Sequence, residues 1–156
     1  MGFPSAPNFI KVQGHSPTTA AGTWGVVQNV LVKGALPRTL KEMMFVAISK
    51  DRNCRYCEAA HIACCRMLGV EASTIEQLAS RVEGVEPARS RDVIRFAVKC
   101  AQTPQALAPA DFAILRDHGL TTAEIVEVVS MSALAVYANI IADATGVEND
   151  DMFAQF

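Results

Sequence analysis

Between its breakers, almost every stretch of this chain repeats its apolar residues at intervals of three and four, and none alternates with period two for long enough to require a strand. That periodicity predicts an all-α fold. Breakers at Gly34-Ala-Leu-Pro37, Gly69, Gly119 and Gly146 divide the chain into six or seven helices. The spacing predicts helices over residues 18–32, 38–50, 54–68, 73–82, 89–102 and 109–118, then a long one that opens on the capping box Thr121-x-x-Glu124 and ends at Gly146. Trp24, Val27 and Leu31 share a face of the first, and Leu40, Met43, Met44, Ala47 and Ile48 form an apolar stripe on the second. Asn53 is a good N-cap for the third, and Gly69 stands where a left-handed residue would end it. The second and third, joined by the turn Asp51-Arg52-Asn53, make a central antiparallel helical hairpin. Small and β-branched residues on more than one side of the last helix predict two neighbours, one of them another subunit.

A chain of 156 residues with 51% hydrophobic content can bury one substantial core but not two independent ones, so residues 1–156 read as a single compact helical bundle. Lys+Arg 14 against Asp+Glu 16 leaves a net charge of -2, too weak a field to favour nucleic acid or an anionic membrane. The first residues lack a secretory pattern, and no stretch of 18 residues is free of both charges and breakers. The expectation is a soluble cytoplasmic protein. The acidic segment Glu148-Asn-Asp-Asp151 reads as solvated. Of five cysteines, four fall within residues 54–65, too crowded for separate structural disulfides and better suited to a working thiol pair in a reducing compartment.

Cys54 and Cys57 lie three apart in the first turn of a helix, close enough for a disulfide, where the helix terminus favours a thiolate. His61 follows on the same face, four residues after Cys57, as a base beside a nucleophile. If the chain reverses near Arg52, Glu42 lies at the height of His61 and can orient the imidazole, so that Glu42, His61 and Cys57 form a proton relay. Plainer readings stand beside this one. The stripe Cys54, Cys57, His61, Cys64, Cys65, Leu68 also suits a packed face, the reading taken for Cys64, Cys65 and Cys100, and Glu42 could be an exposed acid in the first turn of its helix. Zinc is disfavoured, because one straight helix cannot wrap four of its own side chains around an ion and neither His15 nor His118 lies in a ligand-spaced motif. A thioredoxin-type site would need a strand before its Cys-x-x-Cys, and none precedes Cys54. Which sulfur attacks stays open on physical grounds: Cys57 has the better spacing to His61, whereas Cys54 is nearer the helix end and reads as more exposed.

The string Glu42-x11-Cys54-Arg-Tyr-Cys57-Glu-Ala-Ala-His61, with Leu36-Pro-Arg-Thr-Leu-Lys-Glu42 before it and Ala138-Asn-Ile-Ile-Ala-Asp143 far downstream, resembles the alkylhydroperoxidase D (AhpD) family of the carboxymuconolactone decarboxylase superfamily over about residues 18–146. The resemblance implies an all-helical AhpD-like fold that assembles as a homo-oligomer, commonly a trimer or hexamer. It implies Cys57 as the peroxidatic thiol, activated by Glu42 and His61, with Cys54 resolving its sulfenic acid to a disulfide. A hydroperoxide would be the substrate and an external dithiol, a lipoyl group or similar, the reductant, with no metal, haem or flavin. Tyr56 departs from the best studied members, which carry His there; it reads as packing beside the site. Two other functions fit the superfamily: a redox adaptor that passes electrons to a separate peroxidase, and a lactone decarboxylase, against which the intact cysteine pair argues.

Overall fold

A computed structural model describes residues 5–155, and among them the regular structure is entirely helical. Eight α-helices follow in chain order: α1 Asn8–Gln13, α2 Pro17–Val26, α3 Arg38–Asp51, α4 Arg55–Met67, α5 Ala72–Ser80, α6 Ala88–Gln102, α7 Pro109–Asp117 and α8 Thr122–Ala144. The extra element is α1, a six-residue helix too short to carry a periodic signal. A π-helical segment, Val27–Val32, continues α2, and a 3-10 turn, Asp151–Gln155, closes the chain. The widened turn breaks the expected apolar face: Val27 and Leu31 are buried while Trp24 is 43% exposed.

Helix α3 is the axis of the fold, packed against α4, α6, α8 and α5. Every residue from 40 to 49 is buried, so the expected stripe is instead a helix enclosed on all sides, as central helices are. Three of those buried residues are polar. Each meets a partner on another helix: Lys41 with Glu127, Glu42 with His61, and Ser49 with Asn139. Unpaired, each would carry a desolvation penalty of about 1–3 kcal/mol, or more where charged.

The Lys41 ammonium binds the Val30 carbonyl at 2.8 Å, the Lys33 carbonyl and the Glu127 carboxylate, which uses all three of its protons. Glu127 in turn accepts from the Ala35 and Leu36 amides at 2.9 and 3.3 Å. Gly34 makes the approach possible: its φ is +108°, and a Cβ there would lie 1.9 Å from Glu127 Oε1. This cluster ties the π-helical segment and the loop before α3 to α8.

The capping box of α8 forms as expected, with Glu124 N donating to Thr121 Oγ1 at 3.2 Å and the Thr121 amide donating to Glu124 Oε2 at 2.8 Å. The acidic tail is not wholly solvated. Asp150 is buried because it accepts from both the Asn8 amide, at 2.9 Å, and the Tyr56 hydroxyl, also at 2.9 Å, which fastens α1 and the closing 3-10 turn against α4.

Candidate functional site

The α3–α4 hairpin turns through a feature different from the expected one. Asn53 is not the N-cap of α4; it has φ +59° and ends α3, with its amide donating to the Lys50 carbonyl and that of Cys54 to the Ser49 carbonyl. Asn tolerates the left-handed conformation better than most residues, which is why one residue type suited either role. Cys54 itself is therefore the N-cap of α4, and Cys57 lies in the first turn.

Glu42 and His61 meet across the hairpin, with Glu42 Oε2 2.5 Å from His61 Nδ1. Arg38, one turn earlier on α3, donates from Nε to the other carboxylate oxygen at 3.1 Å. The bland reading of Glu42 fails, since its side chain is wholly buried. Burial alone would raise its pKa; the facing His61 and Arg38 outweigh burial and hold the carboxyl below its ordinary value. With Glu42 ionised, Nδ1 carries the proton it donates, and Nε2 is the nitrogen turned away from the carboxylate. Phe45 stacks on the imidazole with ring centroids 3.5 Å apart and planes 14° apart, which fixes the ring's orientation.

The Cys54 and Cys57 thiols are free and are neighbours that perturb one another's ionisation. The interaction with Cys57 lowers the pKa of Cys54 despite its burial, while the interaction with Cys54 and burial push that of Cys57 up. The pair therefore gives up a first proton readily and a second with difficulty, as coupled sites do. Exposure runs against the sequence reading: Cys54 is 0% exposed and Cys57 3%. The reason is that Cys54 is folded under the hairpin turn as N-cap, with its amide spent on α3.

A cavity of about 60 Å³ opens on this site. Cys57, His61 and Cys64 line its floor, and Phe9, Trp24, Phe45 and Phe153 are among its apolar walls. Cys54 does not reach it. Space of that size admits a few waters or the head of a small ligand. Burial and the neighbouring Glu42 charge push the Cys64 thiol up, and burial pushes Cys65 up to about 12, so both stay protonated as buried core thiols.

Four further residues belong to this setting. Arg38 was legible as an i, i+4 partner of Glu42. Asn139 and Asp143, one turn apart on α8, act on the ionisation of Cys57 and Cys54, the first favouring the thiolate and the second opposing it; their only sequence signal is polarity at i, i+4 in an apolar helix. Tyr56 turns its hydroxyl to Asp150 and to the Phe9 amide, 3.1 Å away, and so anchors the cavity's wall.

Glu42, His61 and Cys64 bring possible ligand atoms within 4.8 Å of one another. As a cation cage the trio fits poorly: Arg38 already supplies the carboxylate with positive charge, and His61 Nδ1 is turned to the same carboxylate.

Residues 17–83 match the carboxymuconolactone decarboxylase family. No curated protein matches the sequence. Among solved structures, an uncharacterized peroxidase-related protein from Ralstonia eutropha JMP134 with an alkylhydroperoxidase AhpD core is 27% identical over 95% of this chain and 79% of its own, with a TM-score of 0.90. A putative antioxidant defence protein AhpD from Agrobacterium tumefaciens is 20% identical over 89% of this chain and 95% of its own, at a TM-score of 0.78. A debrominase solved with 2,3,4-tribromopyrrole, 16% identical, covers 97% of this chain and 81% of its own at 0.84 and shares the fold. Residues 17–83 are thus similar to the carboxymuconolactone decarboxylase family, and nearly the whole chain is similar in fold to the solved structure with the AhpD core.

Proposed function

We propose that the protein is a thiol-dependent peroxidase that reduces small apolar hydroperoxides with the Cys54–Cys57 pair. The observation that carries this reading is a free thiol pair with one sulfur, Cys57, on the floor of an apolar cavity beside a histidine oriented by a buried carboxylate. The resting negative charge favours Cys54, yet the cavity reaches only Cys57. Passing the shared proton from Cys57 to Cys54 places the thiolate where the peroxide arrives.

The Cys57 thiolate then attacks one peroxide oxygen. The proton that the thiol pair gives up is taken by His61 Nε2, with Glu42 stabilising the imidazolium; an S–O bond then forms as the O–O bond breaks, and the departing alkoxide takes that proton back from His61. Cys57 is left as a sulfenic acid and the substrate as an alcohol. Attack by the Cys54 sulfur on that sulfenic acid forms the disulfide and releases water. An external dithiol, of lipoyl type, reduces the disulfide by two exchanges and is itself oxidised to a disulfide. The chemistry calls on no metal or organic cofactor, and a reducing cytoplasm suits its resting state.

Assembly with further copies of the chain is part of the proposal. Trp24 on α2 and Val126, Val129 and Ile140 on α8 are exposed apolar side chains, an outer face that association would bury. Light scattering should report a trimer or hexamer, and Ile140→Glu should dissociate it.

Hydroperoxide consumption by the reduced protein with dihydrolipoamide as the only reductant tests the activity. Turnover that Cys57→Ser abolishes supports it. No direct turnover, with transfer of reducing equivalents to a separate peroxidase, would favour the adaptor reading; activity that survives in Cys57→Ser would contradict the mechanism.

A further inference from the structure

The cavity above Cys57 measures about 60 Å³, room for a few waters, so anything bulkier than a peroxide head displaces part of the wall or stays outside. The wall is not uniform. Much of it is anchored in the core, by Val27 and Leu31 on the π-helical segment, Phe45 on α3 and Leu134 on α8, all buried. Another part is made by Phe9 and Ile10 on α1 and Phe153 on the closing 3-10 turn, two short segments that lie before α2 and after α8. Only Gln13 of α1 is buried, and pieces with so little core of their own sit at the low end of local stability.

The ties that hold this second part meet at one side chain. Asp150 stands behind the wall, outside the cavity lining, and its carboxylate accepts the Asn8 amide, with oxygens at 2.9 and 3.1 Å, and the Tyr56 hydroxyl at 2.9 Å. Asn8 Nδ2 donates to the Glu148 carbonyl at 3.2 Å, and the Phe9 amide donates to the Tyr56 oxygen at 3.1 Å. The far end of α1 is fixed separately. There Gln13 Nε2 donates to the Phe9 carbonyl at 2.9 Å, and Gln13 Oε1 accepts the Thr23 hydroxyl of α2 at 2.5 Å. One end of α1 is thus fastened to α2 and the other to the Asp150 cluster. Opening at the Asp150 end exposes its polar groups to water, which replaces the bonds that break, so the cost is small beside that of unfolding.

We infer that α1 and the closing 3-10 turn form a lid over Cys57, hinged at the Gln13–Thr23 contact and latched by Asp150, and that this latch sets the size of the molecule that reaches the sulfur. The inference rests on the reading of Cys57 as the thiol that reacts in this cavity, and adds to it a selection step. With the latch closed, hydrogen peroxide or a short-chain hydroperoxide reaches the floor. With it open, the space that Phe9, Ile10 and Phe153 occupy is free for a bulkier apolar group.

The test reads access to Cys57 with two reagents of one chemistry and different size, iodoacetamide and its pyrene derivative. Both need the same thiolate, so the ratio of their rates cancels changes in sulfur reactivity and reports the opening. Tandem mass spectrometry locates the label, since the tryptic peptide from Tyr56 to Arg66 also holds Cys64 and Cys65. Asp150→Asn should raise the pyrene rate relative to that of iodoacetamide by about tenfold, the open population gained when a hydrogen bond to a carboxylate is lost. Asn8→Pro should act in the same direction and less, because proline at the first position of a helix keeps α1 and deletes the amide that Asp150 accepts. If Asp150→Asn does not fold, Asn8→Pro carries the test. Hydrogen exchange should quicken in α1 and the closing turn and stay slow in α3 and α4. An unchanged ratio in folded variants, or equal rises in both rates, would overturn the lid and leave Asp150 as a structural tie. A raised ratio in a protein that consumes no hydroperoxide, large or small, would uphold the lid and sink the peroxidase reading instead.

Discussion

Lys41 and Glu42 are adjacent on α3, both wholly buried and both ion-paired, yet they are used in different ways. Lys41 spends all three protons, on Glu127 and on the Val30 and Lys33 carbonyls, and Glu127 spends its carboxylate on that ammonium and two backbone amides. No proton of the ammonium is left over, and neither Lys41 nor Glu127 lines the cavity. Glu42 spends its carboxylate on Arg38 and His61, but His61 turns its other nitrogen away from that carboxylate and lines the floor of a cavity that also holds Cys57. A buried charge network whose members are all satisfied specifies structure, whereas one that ends in a titratable group beside a cavity can do chemistry.

The largest expected effect is on the second network. Cys57→Ser should reduce hydroperoxide turnover to the uncatalysed rate while the melting temperature stays close to that of the parent, measured by peroxide assay and calorimetry. Lys41→Met is the structural counterpart. It strands Glu127, so denaturant unfolding should show a loss of about 3–5 kcal/mol, the cost of breaking a buried pair; a loss under about 1 kcal/mol would erase the distinction between the two networks. Glu42→Gln comes next, with an expected loss of about a hundredfold in the rate of Cys57 oxidation, because His61 is no longer oriented or its charged form stabilised.

The same substitution carries a pH signature. The folded-state pKa of Glu42 is depressed, so its contribution to stability is complete above the ordinary value of 4.5 and is lost as pH falls through the lower folded value. Unfolding free energy measured against pH should therefore fall less steeply in acid for Glu42→Gln than for the parent. Tyr56→Phe has the smallest expected effect. It removes the hydroxyl from Asp150 and the Phe9 amide, at a cost of about 1 kcal/mol in stability with turnover nearly unchanged. A large loss of turnover would move Tyr56 from the cavity wall into the chemistry.

The sequence was most legible where partners are close along the chain. Cys54, Cys57, His61 and Glu42 sit on one hairpin, so helical arithmetic alone brought Glu42 to the height of His61, and the structure puts them in contact. The same arithmetic contained Arg38, one turn before Glu42, although the pattern did not demand it. Long-range contributions were hidden. Asn139 reaches Ser49 across 90 residues of sequence, and nothing local marks either as part of the site. Asn53 was misplaced because an N-cap and a left-handed helix end favour the same side chain. The burial of Cys54 and Asp150 was unreadable for a related reason: each depends on how a turn or terminal segment folds back, which periodicity does not report.

The central claim is that Cys54 and Cys57 act as one redox unit with Cys57 meeting the peroxide. Reduced protein treated with one equivalent of a small alkyl hydroperoxide, quenched by alkylation and digested after Arg55, tests it most directly. The account predicts the loss of two thiols per peroxide and a disulfide joining the Cys54 peptide to the Cys57 peptide, with a Cys57 sulfenic acid trapped in Cys54→Ser. Thiols left intact, or a sulfenic acid at Cys54 in Cys57→Ser with none at Cys57 in Cys54→Ser, would contradict it.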